Sequence, residues 1–153
     1  MKKILILFLS ILLLVGCTHK MNQDDDKERI YLTSSYYNKG EFVDIKSDDL
    51  LDKVNDTYLL FTYNSYCNLP ISCEDIFKSF GKKYKIDFLT ISFEEFKDTR
   101  FYETVKYAPS VMIIKNNEIV DYLDADSDDD LNRYQDLEEF ESWLDNYIYF
   151  SKK

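Results

Sequence analysis

Two cysteines separated by five residues, Cys67 and Cys73, are the side chains of this sequence best suited to chemistry. They stand in Tyr66-Cys67-Asn68-Leu69-Pro70-Ile71-Ser72-Cys73-Glu74-Asp75, and one further cysteine, Cys17, lies near the N-terminus. Thiols at this spacing can form a working dithiol/disulfide couple, a structural staple, or half of a metal site. A disulfide needs Cα atoms about 4.4–6.8 Å apart. Five intervening residues close that span easily, and Pro70 stiffens the return. As a staple, so short a loop contributes about 2–3 kcal/mol on the chain-entropy model. Zinc wants four ligands, and the sole histidine, His19, is far upstream. Neither a metal nor a cofactor is expected.

The flanking residues bear on reactivity. Ser72 followed by Asp75 is a capping-box-like pair, which makes Cys73 the first residue of a helix. A thiol there meets the positive end of the helix dipole and unpaired backbone N–H groups, and both favour the thiolate. A peroxidase reading, with Cys67 attacking peroxide, lacks the Thr and Arg partners such chemistry wants. The acidic stretch Asp124-Ala125-Asp126-Ser127-Asp128-Asp129-Asp130 invites a calcium reading. Counted from Asp124, however, the glycine and glutamate places of an EF-hand loop hold Asp129 and Gln135. A solvated loop from Asp124 to Arg133 is the better reading.

The elements that must position the cysteines follow from periodicity. Gly40 to Ile45 alternates apolar and polar, as in a short strand. Ser47 can cap a helix from Asp48 to Val54 with Leu50, Leu51 and Val54 on one face. Thr57 to Tyr63 is β-branched and aromatic almost throughout, as in a central strand covered on both sides. After the cysteines, Ile76, Phe77, Phe80 and Tyr84 recur at helical spacing across Glu74–Tyr84. Ile86 to Ile91 is a strand, and Phe93 to Tyr107 is helical in one or two pieces. Ser110–Lys115 and Glu118–Leu123, joined by Asn116-Asn117, form a hairpin. Asp136 with Glu139 caps a last helix whose stripe is Leu137, Phe140, Trp143, Leu144 and Tyr147. Strands alternating with helices predict an α/β fold: a mainly parallel inner sheet, helices on both faces and an antiparallel hairpin at one edge.

Composition sets the setting. The 153 residues carry 29 acidic and 19 basic side chains, a net charge of −10 that argues against nucleic acid as a partner. Aromatics make up 16% of the chain, enough for a folded core. Met1-Lys2-Lys3 and the apolar run Ile4–Val15 have the pattern of a signal peptide and are too short to span a bilayer stably. Leu14-Val15-Gly16-Cys17 resembles the lipobox of bacterial lipoproteins, whose cysteine is diacylated by palmitate-type chains. The resemblance implies a signal peptide over 1–16, lipidation at Cys17, a flexible tether over 17–29 and one domain over 30–153. It implies a protein held by lipid on the extracytoplasmic face of a bacterial cell membrane, where disulfides persist. Cys67 and Cys73 are then the only pair left.

The element order resembles the thioredoxin-like fold, a three-layer sandwich with a mixed central sheet. Two features carry the likeness. One is a cysteine just after a central strand (Phe61-Thr62-Tyr63-Asn64-Ser65-Tyr66-Cys67), with Cys73 opening the next helix. The other is Tyr107-Ala108-Pro109-Ser110-Val111 before the hairpin, where that family carries a cis-proline packed against its disulfide. There are departures too. Five residues rather than two part the cysteines, Tyr66 stands where tryptophan is usual, and Phe61 occupies the place of a buried acid that assists proton transfer in many members. The resemblance implies a thiol–disulfide oxidoreductase in which Cys67 attacks and Cys73 resolves, beside Pro109. Its substrates would be exported proteins, and a membrane redox partner would restore it. The alternative it leaves open is a non-catalytic lipoprotein of the same fold, a binding or peptide-export accessory module with a structural disulfide.

Overall fold

The computed structural model describes residues 28–64 and 72–153. The signal segment 1–16, Cys17, the tether up to residue 27 and Cys67 lie outside the described residues. Five strands form one mixed sheet in the order β1-β3-β2-β4-β5: β1 (Phe42–Asp44), β2 (Thr57–Tyr63), β3 (Phe88–Ser92), β4 (Ser110–Lys115) and β5 (Glu118–Tyr122). β1, β3 and β2 run parallel, while β4 and β5 are antiparallel additions. The helices are α1 (Cys73–Tyr84), α2 (Phe93–Phe96), α3 (Leu131–Gln135) and α4 (Leu137–Asp145). This is the expected three-layer α/β sandwich.

β2 lies at the centre because its residues suit no other place. Thr57 through Thr62 are all buried, so both faces are covered, as a run of β-branched and aromatic residues requires. On one face Phe61 meets Phe77 of α1 edge-on, with ring centroids 5.3 Å apart. Phe77 also packs at 4.6 Å from Phe140 of α4 and at 5.9 Å from Tyr134 of α3. Phe80 extends the layer to Phe88, Phe140 and Phe150. The hairpin turn is of the expected kind. Asn116 and Asn117 both take positive φ, 50° and 64°, as a two-residue type I′ connection demands.

Three local expectations need correction. Residues Ser47–Lys53 form a 3-10 helix, not an α-helix, and Ser47 is not its cap. Instead, the Asp49 carboxylate accepts the Lys46 N–H (2.8 Å), while the Ser47 N–H and hydroxyl both donate to Glu95. With three residues per turn, Leu51 and Val54 align on a different row from Leu50. Leu50 is buried and Leu51 is 71% exposed. Second, the expected loop Asp124–Arg133 is half helical, with a 3-10 turn at Asp128–Asp130 leading into α3. Asp130 is pulled inward because its carboxylate accepts the Asp124 N–H (2.8 Å) and pairs with Arg133. Third, β3 begins at Phe88, since Asp87 turns its carboxylate to the neighbouring turn and accepts the N–H groups of Lys39 and Glu41. The last helix is capped at Asp136 as expected, through the N–H groups of Glu138 and Glu139, but the Asp136 N–H donates to the Asn132 carbonyl and Glu139 closes no capping box.

The chain enters the domain at the end of β2 that lies away from Cys73. Thr33 N–H donates to the Thr57 carbonyl at the start of β2. Ile30 bridges Ile148, and Arg29 pairs with Asp145.

Gly40 is the most exacting backbone position. Its φ is +75°, and a Cβ there would sit 2.2 Å from the Gly81 carbonyl oxygen in α1. Strain in the left-handed region and a clash with backbone reinforce each other. Gly40→Ala is expected to lower the unfolding free energy by at least about 2 kcal/mol in urea denaturation. A loss below about 0.5 kcal/mol, the range of ordinary surface changes, would contradict this packing.

Candidate functional site

Cys73 is the first residue of α1 and is buried, 2% exposed. Helix α1 starts there because Ser72 is extended (φ −66°, ψ 118°) and its carbonyl already accepts the Asp75 N–H at 3.0 Å. The Ser72 side chain makes no capping bond, so the capping box expected from Ser72 and Asp75 is not formed. What fixes the start of α1 is the burial of Phe77, one turn on and on the same face as Cys73.

Pro109 lies at the junction into β4, and the Ala108–Pro109 peptide is cis. The antiparallel register pairs Thr62 with Ser110, which brings the end of β2 beside this junction. A side-chain bond completes the link: Asn64 Nδ2 donates to the Ala108 carbonyl at 2.7 Å. The Ser110 hydroxyl, fully buried, donates back to the Tyr107 carbonyl at 2.8 Å and closes the turn. Nearby, the Thr62 hydroxyl is buried with no hydrogen-bond partner among the described residues. Cys73 and Pro109 thus belong to segments that adjoin the same end of the central strand. Cys67 lies outside the described residues.

Two further residues complete this corner. Phe61, where a buried acid might have stood, is 2% exposed and ringed by Phe42, Tyr63 and Phe77, so no carboxylate occupies that place. Tyr134 of α3 is 3% exposed and donates its phenol to the Leu123 carbonyl at 2.9 Å. Burial pushes this phenol far above its ordinary value; the neighbouring Ser110 hydroxyl opposes the shift, and Asp130 and Asp124 add to it. Tyr134 and Asn64 are not legible as site residues in the sequence. Tyr134 falls between the expected loop Asp124–Arg133 and the cap at Asp136, and Asn64 carries only the weak signal of a polar residue closing a buried strand.

Other ionisable groups mark structure more than chemistry. Asp44 accepts from the Tyr63 and Thr90 hydroxyls at 3.2 and 3.1 Å, tying β1, β2 and β3 together beside the site. No group of three or more His, Cys, Asp or Glu side chains able to hold a metal occurs among the described residues, the acidic stretch included.

Solved structures supply the comparison. A mutant thioredoxin from Halobacterium salinarum superposes with a TM-score of 0.54 at 16% identity, covering 75% of this chain and 97% of its own. The chain has a thioredoxin-like fold. Thioredoxin from Schistosoma mansoni aligns at 18% identity with a TM-score of 0.49, over 72% of this chain and 99% of its own. No protein-family model matches the sequence, and no curated protein matches it. At such identities the likeness concerns architecture.

The buried phenols give a pH signature. Burial, as the first cause in each case, raises Tyr36, Tyr58 and Tyr134 well above the usual value near 10, and raises Tyr147 to about 12. A raised native value contributes stability that is complete below the unfolded value and is lost as pH climbs through the native one. Urea unfolding is therefore expected to give constant tyrosine-linked stability up to about pH 10 and a falling one through about pH 12. All 13 tyrosines ionising together near pH 10 in the still-folded chain would refute it.

Proposed function

We propose that this chain is a membrane-anchored, extracytoplasmic thiol–disulfide oxidoreductase acting on exported proteins through Cys67 and Cys73. The observation that carries the reading is the placement of Cys73: buried, first in α1, and at the end of the central strand that Asn64 clasps to the cis-Pro109 junction. In this scheme the Cys67 thiolate attacks a substrate disulfide, forming a mixed disulfide and releasing one substrate thiolate. Cys73, deprotonated, then attacks the Cys67 sulfur, which closes the Cys67–Cys73 disulfide and frees the second substrate thiol. A membrane dithiol partner returns the pair to the reduced state. Lipidation at Cys17 supplies the anchor, supported by the lipobox-like Leu14–Cys17.

A second reading has its own support. Phe61 fills the place of a proton-transferring acid with an apolar ring, which suits a non-catalytic binding or peptide-export accessory module with a structural Cys67–Cys73 bond.

Redox titration against glutathione separates the two. A catalytic pair is expected to have a potential above about −300 mV, and a structural bond below it. The intact chain should reduce a model protein disulfide, and Cys67→Ala should abolish this. Activity unchanged by Cys67→Ala, or a pair that resists reduction, would shift the assignment to the accessory role. Cys17→Ser should release the protein from the membrane fraction, and retention there would remove the lipid anchor.

A further inference from the structure

The sheet has two outer strands, and they are not equivalent. β1 is only three residues long, and its Asp44 is bound to Tyr63 and Thr90 of the strands beside it. Shortness is a common protection of a sheet edge. β5 has five residues, none of them buried, and no strand lies on its far side among the described residues. An edge of that kind presents a row of unpaired backbone N–H and C=O groups.

A cleft of about 350 Å³ lies between β5 and the 3-10 turn Arg100–Glu103. Side chains alternate between the faces of a strand, and residues paired across strands share a face. Ile119 and Tyr122 therefore belong to the face of Ile114 and Met112. Asp121 belongs to that of Ile113, where it accepts the indole N–H of Trp143 at 2.8 Å. All three of these β5 residues line the cleft, so it follows the free edge and not one face alone. A second hollow, about 490 Å³, meets the first at Arg100, Phe101 and Asn117. It continues to Leu51 and Val54, which are 71% and 39% exposed. The two make one trough, with an open strand along one part and apolar side chains along the other.

Charge selects the occupant. Asp48, Asp98, Glu103, Glu118 and Asp121 line the trough, and Arg100 is the one cation among its lining residues. The acidic stretch that begins at Asp124 follows β5 directly and extends the same sign. A second copy of this chain brings the same acids on the same strand and a net charge of −10, and is repelled. The register shift between Ile113 and Ile114 also spoils the flat edge that self-pairing needs.

The geometry points to β5 as the docking edge for an extended, cationic polypeptide segment, which adds a strand to the sheet and lays side chains in the trough. The main chain of the segment supplies the hydrogen bonds that β5 lacks. Its lysines or arginines meet the carboxylates, and an apolar side chain reaches Leu51 and Val54. The trough shares no residue with the Cys73–Pro109 corner, so this surface does not depend on the oxidoreductase reading.

The test uses the full-length, isotope-labelled chain and a capped peptide of about seven residues alternating lysine with valine. At saturation the peptide is expected to shift the amide signals of Glu118–Tyr122 and to slow their hydrogen exchange about tenfold. Two further peptides separate strand pairing from charge alone. With glutamate in place of lysine, the amide signals are expected to stay where they are. A lysine peptide N-methylated throughout keeps its charge but cannot donate to β5, and is expected to bind about tenfold more weakly. Asp98→Lys with Glu103→Lys, both at exposed positions, is expected to weaken the lysine peptide by a similar factor. Absent shifts at about 1 mM peptide, shifts confined to residues 124–130, or equal binding of the N-methylated peptide overturns the inference. So does self-association of the chain in sedimentation that the peptide fails to displace. These peptide comparisons hold even if the double variant does not fold.

Discussion

The packing of Phe77 against Phe61, Phe140 and Tyr134 is the contact from which the rest of the site follows. Each ring comes from a different element, so the cluster sets the distance of α1 from the sheet and the rotation of α1 about its own axis. Truncating so central a ring typically costs about 3–5 kcal/mol. With that rotation fixed, the residue one turn earlier must face inward as well, and that residue is Cys73. Its burial is a consequence of an aromatic layer and does not need a side-chain cap at Ser72.

The same layer explains why the described polar groups at this corner are firmly held. An apolar Phe61 excludes a carboxylate from beneath α1. The remaining polar atoms are drawn to the rim: Asn64 on the Ala108 carbonyl, Ser110 on the Tyr107 carbonyl, and Tyr134 on the Leu123 carbonyl. Each satisfies a main-chain oxygen that the bend into β4, or the exit from β5, leaves without a ladder partner.

Features set by short-range chemistry were legible in the sequence. β2 declared itself because a doubly covered strand tolerates little beyond β-branched and aromatic residues. Asn116-Asn117 announced the hairpin because few residues accept positive φ, and Asp136 announced α4 because its carboxylate can reach the exposed N–H groups of the first turn. Features decided by distant partners were hidden. Leu51 and Val54 share a helical stripe with Leu50 only if the segment has 3.6 residues per turn, and the Ser47–Glu95 bonds favour a tighter coil. Tyr134 sits close to a run of aspartates, and only its contacts with Phe77 and Leu123, far apart in the chain, bring it into the core.

The N-terminal strap also has a mechanical consequence. Because Thr33 joins the sheet at the start of β2, while Cys73 follows its end, that point of attachment and the opening of α1 are separated by the length of the strand, about 20 Å. A pull on the chain upstream of Thr33 therefore reaches the sheet at the start of β2, and the segment that opens with Cys73 lies a strand's length from the point of load.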